Sequence, residues 1–369
     1  MRIAVCTDEA SPDDPRVWSG TPTYFLNALR SLYSDVISIG PVTPRLLMLA
    51  QGISWSIGHL LHRKVRWQVE PFVLRRMTQA VEKHAQQAGA DVVLCMGWYP
   101  LDPSGDVPFV SWGDATISQR IEVAPYWTRL SDWTRRRVRD VEGRALRSCA
   151  RVVMSSRWAA DDVDATYGLA AKVVPFGTNI ADPGPIHRVA PAGPLRLLTV
   201  GVEWHRKGMD RSIRILDEIV ARGRKAHLDV VGVAPPSKSW HRDNVTWHGF
   251  LNKRDLKDMA HLNGLYRRAD IFLLPTRNDP FPMVLAEAAA YGLPVVATRI
   301  DGVPERVADG TTGILVDPSA GVAAWSDAVL LAADPGHYES LAKAARAAYD
   351  HLWSWDIAAK AMIQVLRTC

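Results

Sequence analysis

Residues 275–318 read PTRNDPFPMVLAEAAAYGLPVVATRIDGVPERVADGTTGILVDP, directly after the apolar run Ile271–Leu274. Two further apolar runs, Val295–Thr298 and Ile314–Val316, lie inside this stretch, separated by a helical pattern and by turn residues. Near-continuous apolar runs, as opposed to alternating ones, are what strands buried on both faces of a parallel sheet require. Pro280 and Pro282 stiffen the entry to the helical pattern, and Phe281, preceding a proline, is pushed away from helical backbone angles. Pro282 is expected as the first helical residue, where its missing N–H costs nothing. The N–H groups of Met283 and Val284 then point out of the helix start and, with the helix dipole, make a site suited to phosphate. Asp279 and Glu287 stand eight residues apart, one carboxylate before the helix and one within it. Phosphate alone gives carboxylates no work, whereas hydroxyls do: Asp279 is suited to a sugar and Glu287 to a ribose. The plainer alternative is that Asp279 caps the helix and Glu287 pairs with a neighbouring arginine.

The same rhythm extends in both directions. Strand-like runs fall at Ile3–Cys6, Val36–Ile39, Val92–Met96, Val107–Ser111, Val152–Ser155 and Val173–Pro175, then at Leu197–Val200, Leu228–Val231 and Val245–Trp247. Strands alternating with helices indicate doubly wound α/β domains. Residues 181–194, ADPGPIHRVAPAGP, hold four prolines and two glycines and read as a linker between two such domains. The spacing of Leu341, Ala344, Ala348 and Leu352 predicts one helix over about 338–367. Ligands of open α/β sheets bind beyond the carboxyl ends of the strands, so a cleft between two domains is the expected site.

Three other strand-end loops carry chemistry. After Leu197–Val200 comes Gly201-Val202-Glu203-Trp204-His205-Arg206-Lys207-Gly208, whose adjacent cations can neutralise a diphosphate leaving group or can simply be a solvated surface. Near the first strand, Gly20, Thr21 and Pro22 offer close backbone approach and a second helix start. After Val107–Val110, Asp114 is suited to holding or deprotonating an acceptor hydroxyl, with a turn-capping Asp as the alternative.

Taken in order, these residues resemble the signature of the retaining GT-B glycosyltransferases, especially glycosyltransferase family four (glycosyl transferases group one). That family carries Glu-x7-Glu, usually as E-x-F-G followed by L-E-A. Here Asp279 stands for the first Glu, Pro282 for the common glycine, and Leu285-Ala286-Glu287-Ala288 for L-L-E-A. Gly292-Leu293-Pro294-Val295-Val296-Ala297 and Gly302-Val303-Pro304-Glu305 continue the match. Two departures are clear: Gly113 replaces a histidine common in relatives, and Val202 and Glu203 occupy a region where an arginine is frequent.

The resemblance implies a GT-B fold of two Rossmann-like doubly wound domains facing a central cleft. Residues 1–180 are then the acceptor domain, 181–196 the linker and 197–350 the nucleotide-sugar donor domain. Residues 351–369 form a C-terminal helix for which packing back on the N-terminal domain is one option. It implies Lys207, Arg206, Asp279 and Asp114 as catalytic residues. The donor-binding set is Gly20, Thr21, Lys207, Arg206, Phe281, Pro282, Met283, Val284 and Glu287, with Gly249, Phe250 and Leu251 as the base-side loop. The implied reaction moves a sugar, with retention, from a nucleotide-diphosphate sugar to a hydroxyl acceptor that is a glycan, a lipid-linked glycan or a small molecule. In that picture the departing phosphate takes the acceptor proton. No Asp-x-Asp pair of the metal-holding sort is read here, so a metal-independent site without a further cofactor is expected. The alternatives are a non-catalytic nucleotide-sugar binding protein of the same fold and another GT-B enzyme, such as a sugar-nucleotide epimerase.

Composition narrows the rest. The chain has 369 residues, 47% hydrophobic and 22% charged, with a formal net charge of +5, which excludes disordered, collagen-like and coiled-coil classes. No uncharged apolar stretch is long enough to span a bilayer, and Asp8 and Glu9 come too early for a secretory signal, so a cytoplasmic protein is expected. Cys6, Cys95, Cys149 and Cys369 lie far apart, which suggests neither zinc nor a disulfide framework. The absence of G-x-G-x-x-G after the first strand counts against a nicotinamide dehydrogenase. Arg45, His59, His62, Arg63, Lys64, Arg66, Arg75 and Arg76 cluster beside a helical stripe of Leu46, Leu49, Ile53, Ile57, Leu60 and Leu61, with Trp55 and Trp67. A second group comprises Arg129, Arg135, Arg136, Arg137 and Arg139. Such a face either touches an anionic membrane surface at the inner leaflet or is an ordinary solvated helix face. No nucleic-acid recognition motif accompanies it.

Overall fold

The computed structural model describes residues 1–7, 10–40, 71–97, 101–123 and 132–369. The stripe and basic residues from Arg45 to Trp67, and Arg129, lie outside the described residues. The chain divides into two contact units, Met1–Gly177 with Trp355–Cys369, and Thr178–Ser354.

The first unit is built on strands β1 (Ile3–Thr7), β2 (Val36–Ile39), β3 (Val92–Met96), β4 (Phe109–Gly113), β5 (Arg151–Met154) and β6 (Ala171–Val173). All pair in parallel in the order β2-β1-β3-β4-β5-β6. Helices α1 (Thr21–Leu32), α2 (Pro71–Gln87), α3 (Ile117–Val123), α4 (Asp132–Ser148) and α5 (Arg157–Tyr167) accompany them. β1, β3 and β4 are buried along their whole length, as runs without alternation require. Cys6 and Cys95 face each other across β1 and β3 and are buried, in keeping with small apolar residues.

The second unit repeats the plan with β7 (Leu195–Val200), β8 (Ala226–Val231), β9 (Val245–Gly249), β10 (Ile271–Leu274), β11 (Val295–Thr298) and β12 (Gly313–Val316). These too are parallel, in the order β12-β11-β10-β7-β8-β9. Its helices are α6 (Met209–Ala221), α7 (Leu256–Arg268), α8 (Met283–Ala290), the single turn α9 (Val303–Arg306), α10 (Val322–Ala332) and α11 (Pro335–Leu352). One apolar layer, with Leu198, Phe272, Leu285 and Tyr291, covers one face of the sheet, and a second, with Leu197, Ile213, Leu216 and Trp325, covers the other. A last helix, α12 (Trp355–Leu366), belongs to the first unit.

Several expectations shift. β4 starts at Phe109, after Pro108, because proline has no N–H for the ladder. β6 lies at Ala171–Val173, before the residue preceding Pro175. The single helix expected over 338–367 is two helices, because Trp353 leaves helical angles at φ −121° and ψ 21°. Trp353 is buried in the core of the second unit, whereas Trp355 packs among Phe25, Trp112 and Phe176 of the first, so one straight helix cannot serve both. The proline-rich segment is not loose either. Arg188 within it is buried and donates to the carbonyls of Tyr266, Ala269 and Tyr291 at 2.6–2.7 Å, closing off the C-terminal ends of α7 and α8. Among the described residues no helix is long and apolar enough to cross a membrane.

Candidate active site

In the second unit β7 is flanked by β8 on one side and β10 on the other, so the strand order reverses there. At such a switch point the loops after the two central strands diverge and leave room for a ligand. Those loops are 201–208, after β7, and 275–282, after β10.

The first loop turns back through Gly208, at φ 72°, where a Cβ would stand 2.0 Å from the Pro275 carbonyl oxygen. This contact locks the two loops together, and only glycine permits it. Lys207 is buried, and its ammonium forms an ion pair with the Asp279 carboxylate of the second loop. Burial lowers the Lys207 pKa, and Asp279 acts in the opposite sense. Arg206 lies 3.8 Å from Asp279, pairs with Glu203 at 2.7 Å and donates to the Asn278 carbonyl at 3.2 Å. Asp301, after β11, accepts from the Asn278 amide at 2.5 Å and from the Asp279 N–H at 2.8 Å. Burial raises the Asp301 pKa. Arg277 holds Asp210 through two bonds of 2.7 and 2.8 Å and reaches the His205 carbonyl at 2.6 Å.

The second loop runs into α8. Pro282 is not the first helical residue: at ψ 112° it is extended and serves as the N-cap, with helical backbone starting at Met283. A proline there supplies no side-chain cap, and none is made. Met283 and Val284 are half-buried at the helix start, beside the loop that carries Lys207 and Arg206. Phe281 is buried under Arg306, whose guanidinium lies 3.8 Å from the ring centroid. Burial lowers the Arg306 pKa to about 9, while Glu287, Glu305 and Asp279 act to raise it. Glu287 is fully buried on α8; one oxygen pairs with the Lys253 ammonium and the other accepts from the Tyr266 hydroxyl at 3.0 Å. Burial, then Glu287, raises the Tyr266 pKa, so the phenol keeps its proton and donates. Glu287 therefore pairs with a lysine, not an arginine, and Asp279 caps nothing. Gly249, at φ 63°, ends β9, and after it Phe250 is 69% exposed and Leu251 packs on the core.

The structure thus gathers Lys207, Arg206, Asp279, Phe281, Pro282, Met283, Val284 and Glu287 around one strand-end crescent. Sequence reasoning missed Lys253, Tyr266, Asp301 and Arg306. Arg306 adjoins the matched segment Gly302–Glu305, so its place next to that segment was the available signal. Lys253 and Tyr266 belong to a loop and an amphipathic helix, and nothing in the letters points to α8.

The first unit holds the remaining candidates. Gly20, at φ 87°, is the N-cap of α1, preceded by Trp18 and Ser19 at φ 48° and 55°. Thr21 is buried and donates to the Trp18 carbonyl at 2.8 Å. Asp114 lies just beyond β4 and pairs with Arg120 of α3. It is not a cap: Thr116 and Gln119 bond reciprocally at 3.0 and 3.1 Å in a capping box at the start of α3. Behind this turn Glu142 is buried, accepting from the Ile117 N–H at 2.7 Å and from the Tyr167 hydroxyl. Burial raises its pKa to about 7. An Asp-x-Asp triplet does occur, Asp162-Val163-Asp164, but it lies within α5, where Asp162 accepts from Thr116 and Thr166. Among the described residues no cluster of three or more His, Cys, Asp or Glu could hold a metal ion.

Two parallel six-stranded sheets, one with cations and a half-buried helix start at its switch point, are the architecture of the GT-B fold. The sequence model of the family "Glycosyl transferases group 1" matches residues 194–334. Glycogen synthase of Mycobacterium tuberculosis (strain CDC 1551 / Oshkosh) is 30% identical over 291 residues, covering 74% of this chain and 68% of that protein. Among solved structures, sucrose-phosphate synthase (tll1590) from Thermosynechococcus elongatus superposes with a TM-score of 0.70 at 20% identity, covering 100% of this chain and 99% of that one. Anabaena Alr3699/HepE, solved in complex with UDP, gives a TM-score of 0.64 at 16% identity over 100% of both chains. The chain belongs to the group 1 glycosyl transferases, which take their sugar from a nucleotide-sugar donor.

Proposed function

We propose that this glycosyltransferase moves a hexosyl or related sugar, with retention of anomeric configuration and without a metal ion, to a hydroxyl of a glycan, lipid-linked or small-molecule acceptor. The observation that carries this reading is the pairing of Lys207 and Arg206 with Asp279 beside the start of α8, with Glu287 buried behind it. In the reaction, negative charge grows on the phosphate oxygen that leaves the anomeric carbon. Lys207, Arg206 and the N–H groups of Met283 and Val284 stabilise that charge, and one preorganised donor of this kind contributes ~3–4 kcal/mol. Asp279 fixes the Lys207 ammonium and accepts from a sugar hydroxyl, while Glu287 accepts from the ribose. The acceptor oxygen bonds to the anomeric carbon on the face the diphosphate leaves, and the departing phosphate takes its proton. Asp114 orients that hydroxyl. A dedicated metal is unnecessary in this scheme because fixed cations supply the charge. UDP in the Anabaena relative supports a uridine donor as the first to test.

The test is release of nucleoside diphosphate from a panel of nucleotide sugars with hydroxyl acceptors, with and without EDTA, and the anomeric configuration of the product by NMR. Turnover abolished by EDTA, or an inverted product, contradicts the corresponding part of the proposal. Peripheral membrane contact is a further part of this reading. It is supported by exposed Arg75 and Arg76 on α2 and by Trp133, 62% exposed with Arg137 5.3 Å from its ring centroid. Co-sedimentation with anionic vesicles tests it.

A further inference from the structure

Glu287 is a carboxylate with no exposed surface, and a buried charge of this kind requires compensation by a counter-charge and hydrogen bonds. Both requirements are met from the same region of the fold. Tyr266 comes from α7 and holds one oxygen at 3.0 Å; Lys253 comes from the turn before α7 and holds the other. That turn is firmly built. Asp255 caps α7 by accepting from the N–H groups of Lys257 and Asp258 at 2.8 and 3.1 Å. Asp258 in turn accepts from the Asn252 N–H at 2.8 Å, and the Asp255 N–H bonds to the Asn252 carbonyl at 2.9 Å. Leu251, just before the turn, packs against the core, and Phe250 stands 69% exposed beside it. Lys253 crosses from this turn to α8, and its side chain is a quarter exposed, so the ion pair sits where buried acid meets solvent.

We propose that Lys253 is a positioning residue for the nucleoside end of the donor: its ammonium ties the turn after β9 to the Glu287 carboxylate, so that one ion pair sets both the ribose-holding acid and the base-side loop. This rests on the reading of Glu287 as the ribose acceptor. Lys253 and Tyr266 each take one oxygen of the Glu287 carboxylate, and each oxygen keeps a further lone pair with which to accept from a ligand hydroxyl. It also fixes how far Phe250 stands from the ribose. A neutral side chain at 253 releases the turn and weakens recognition of ribose, while the diphosphate, held at the end of β7, is unaffected.

The test compares wild type, Lys253→Met, Lys253→Arg and Glu287→Ala by calorimetry. The probes are UDP, ADP and GDP, each against its 2′-deoxy form, and inorganic pyrophosphate. A hydrogen bond to a charged acceptor predicts roughly tenfold tighter binding of the best ribonucleotide than of its deoxy form in wild type. Glu287→Ala should erase that preference. Lys253→Met should cut it to below about threefold, with pyrophosphate affinity within about twofold of wild type, donor KM raised and kcat nearly unchanged. Lys253→Arg should restore most of the preference. A Lys253→Met protein with the wild-type preference and KM overturns the proposal, as does one that loses pyrophosphate and nucleotide in equal measure, since that marks a general structural role. If Glu287→Ala keeps the preference, or wild type has none, the failure belongs to the ribose reading of Glu287.

Discussion

The two sheets share an architecture but handle charge at their strand ends differently. In the second unit the ends of β7, β10 and β11 present Lys207, Arg206, Asp279 and Asp301 as one network, with Glu287 and Lys253 behind it. Among the described residues of the first unit, the corresponding region offers a left-handed backbone at Trp18–Gly20 and separate pairs, Asp14 with Arg16, Asp13 with Arg30 and Asp114 with Arg120, while Glu142, whose pKa burial raises, is turned inward to the Ile117 N–H. Under the proposed function, the connected cations of the second unit are what a dianionic diphosphate needs, and an uncharged acceptor hydroxyl needs no such network.

The comparison breaks most readily at the charged end. Lys207→Ala and Glu287→Ala should each lower transfer by two orders of magnitude or more, consistent with ~3–4 kcal/mol per preorganised group, while circular dichroism stays native; wild-type turnover in either removes the donor assignment. Gly208→Ala comes next. Its Cβ would meet the Pro275 carbonyl at 2.0 Å, and strain plus overpacking cost about 2–4 kcal/mol, seen as a lower melting temperature and weaker nucleotide binding.

A titration separates the units further. The Glu142 pKa, about 7 in the fold against an ordinary 4.5, means the native state keeps a proton that the unfolded chain loses first. Stability should therefore fall as pH rises from about 4.5 to about 7 and level off above, by an amount on the order of 3 kcal/mol from this group. Glu142→Gln should flatten that slope in pH-dependent denaturation, and an unchanged slope contradicts the assignment. The smallest effect is expected at Gly113→Ala, the position where the family resemblance leads one to expect a histidine. A Cβ there meets the Gly97 carbonyl at 3.4 Å, close to ordinary contact, so the melting temperature should move little. A large loss would show that the glycine is structurally required.

Much of the second unit was legible because its signals are local. The apolar runs at Ile271–Leu274 and Val295–Thr298 became strands residue for residue. Lys207, Asp279 and Glu287 stood at recognisable offsets from them. The misreadings also had local causes: Pro282 looked like a first helical residue because proline suits that position, yet its ψ of 112° makes it the cap. The break at Trp353 was invisible because both flanking segments keep helical spacing. The first unit was less legible, since Asp114, Arg120, Thr116 and Glu142 interact through contacts that no spacing announces.

Sequence by itself determined the two parallel sheets, the strand-end loops that carry charge, and the family. Periodicity and turn chemistry act over a few residues, and the signature is a string of such short-range features. Only the tertiary structure decided which charges meet: Lys207 with Asp279, seventy-two residues apart, and Lys253 with Glu287, thirty-four apart. Such pairings depend on strand order and on the desolvation of each group, and both exist only once the chain has folded.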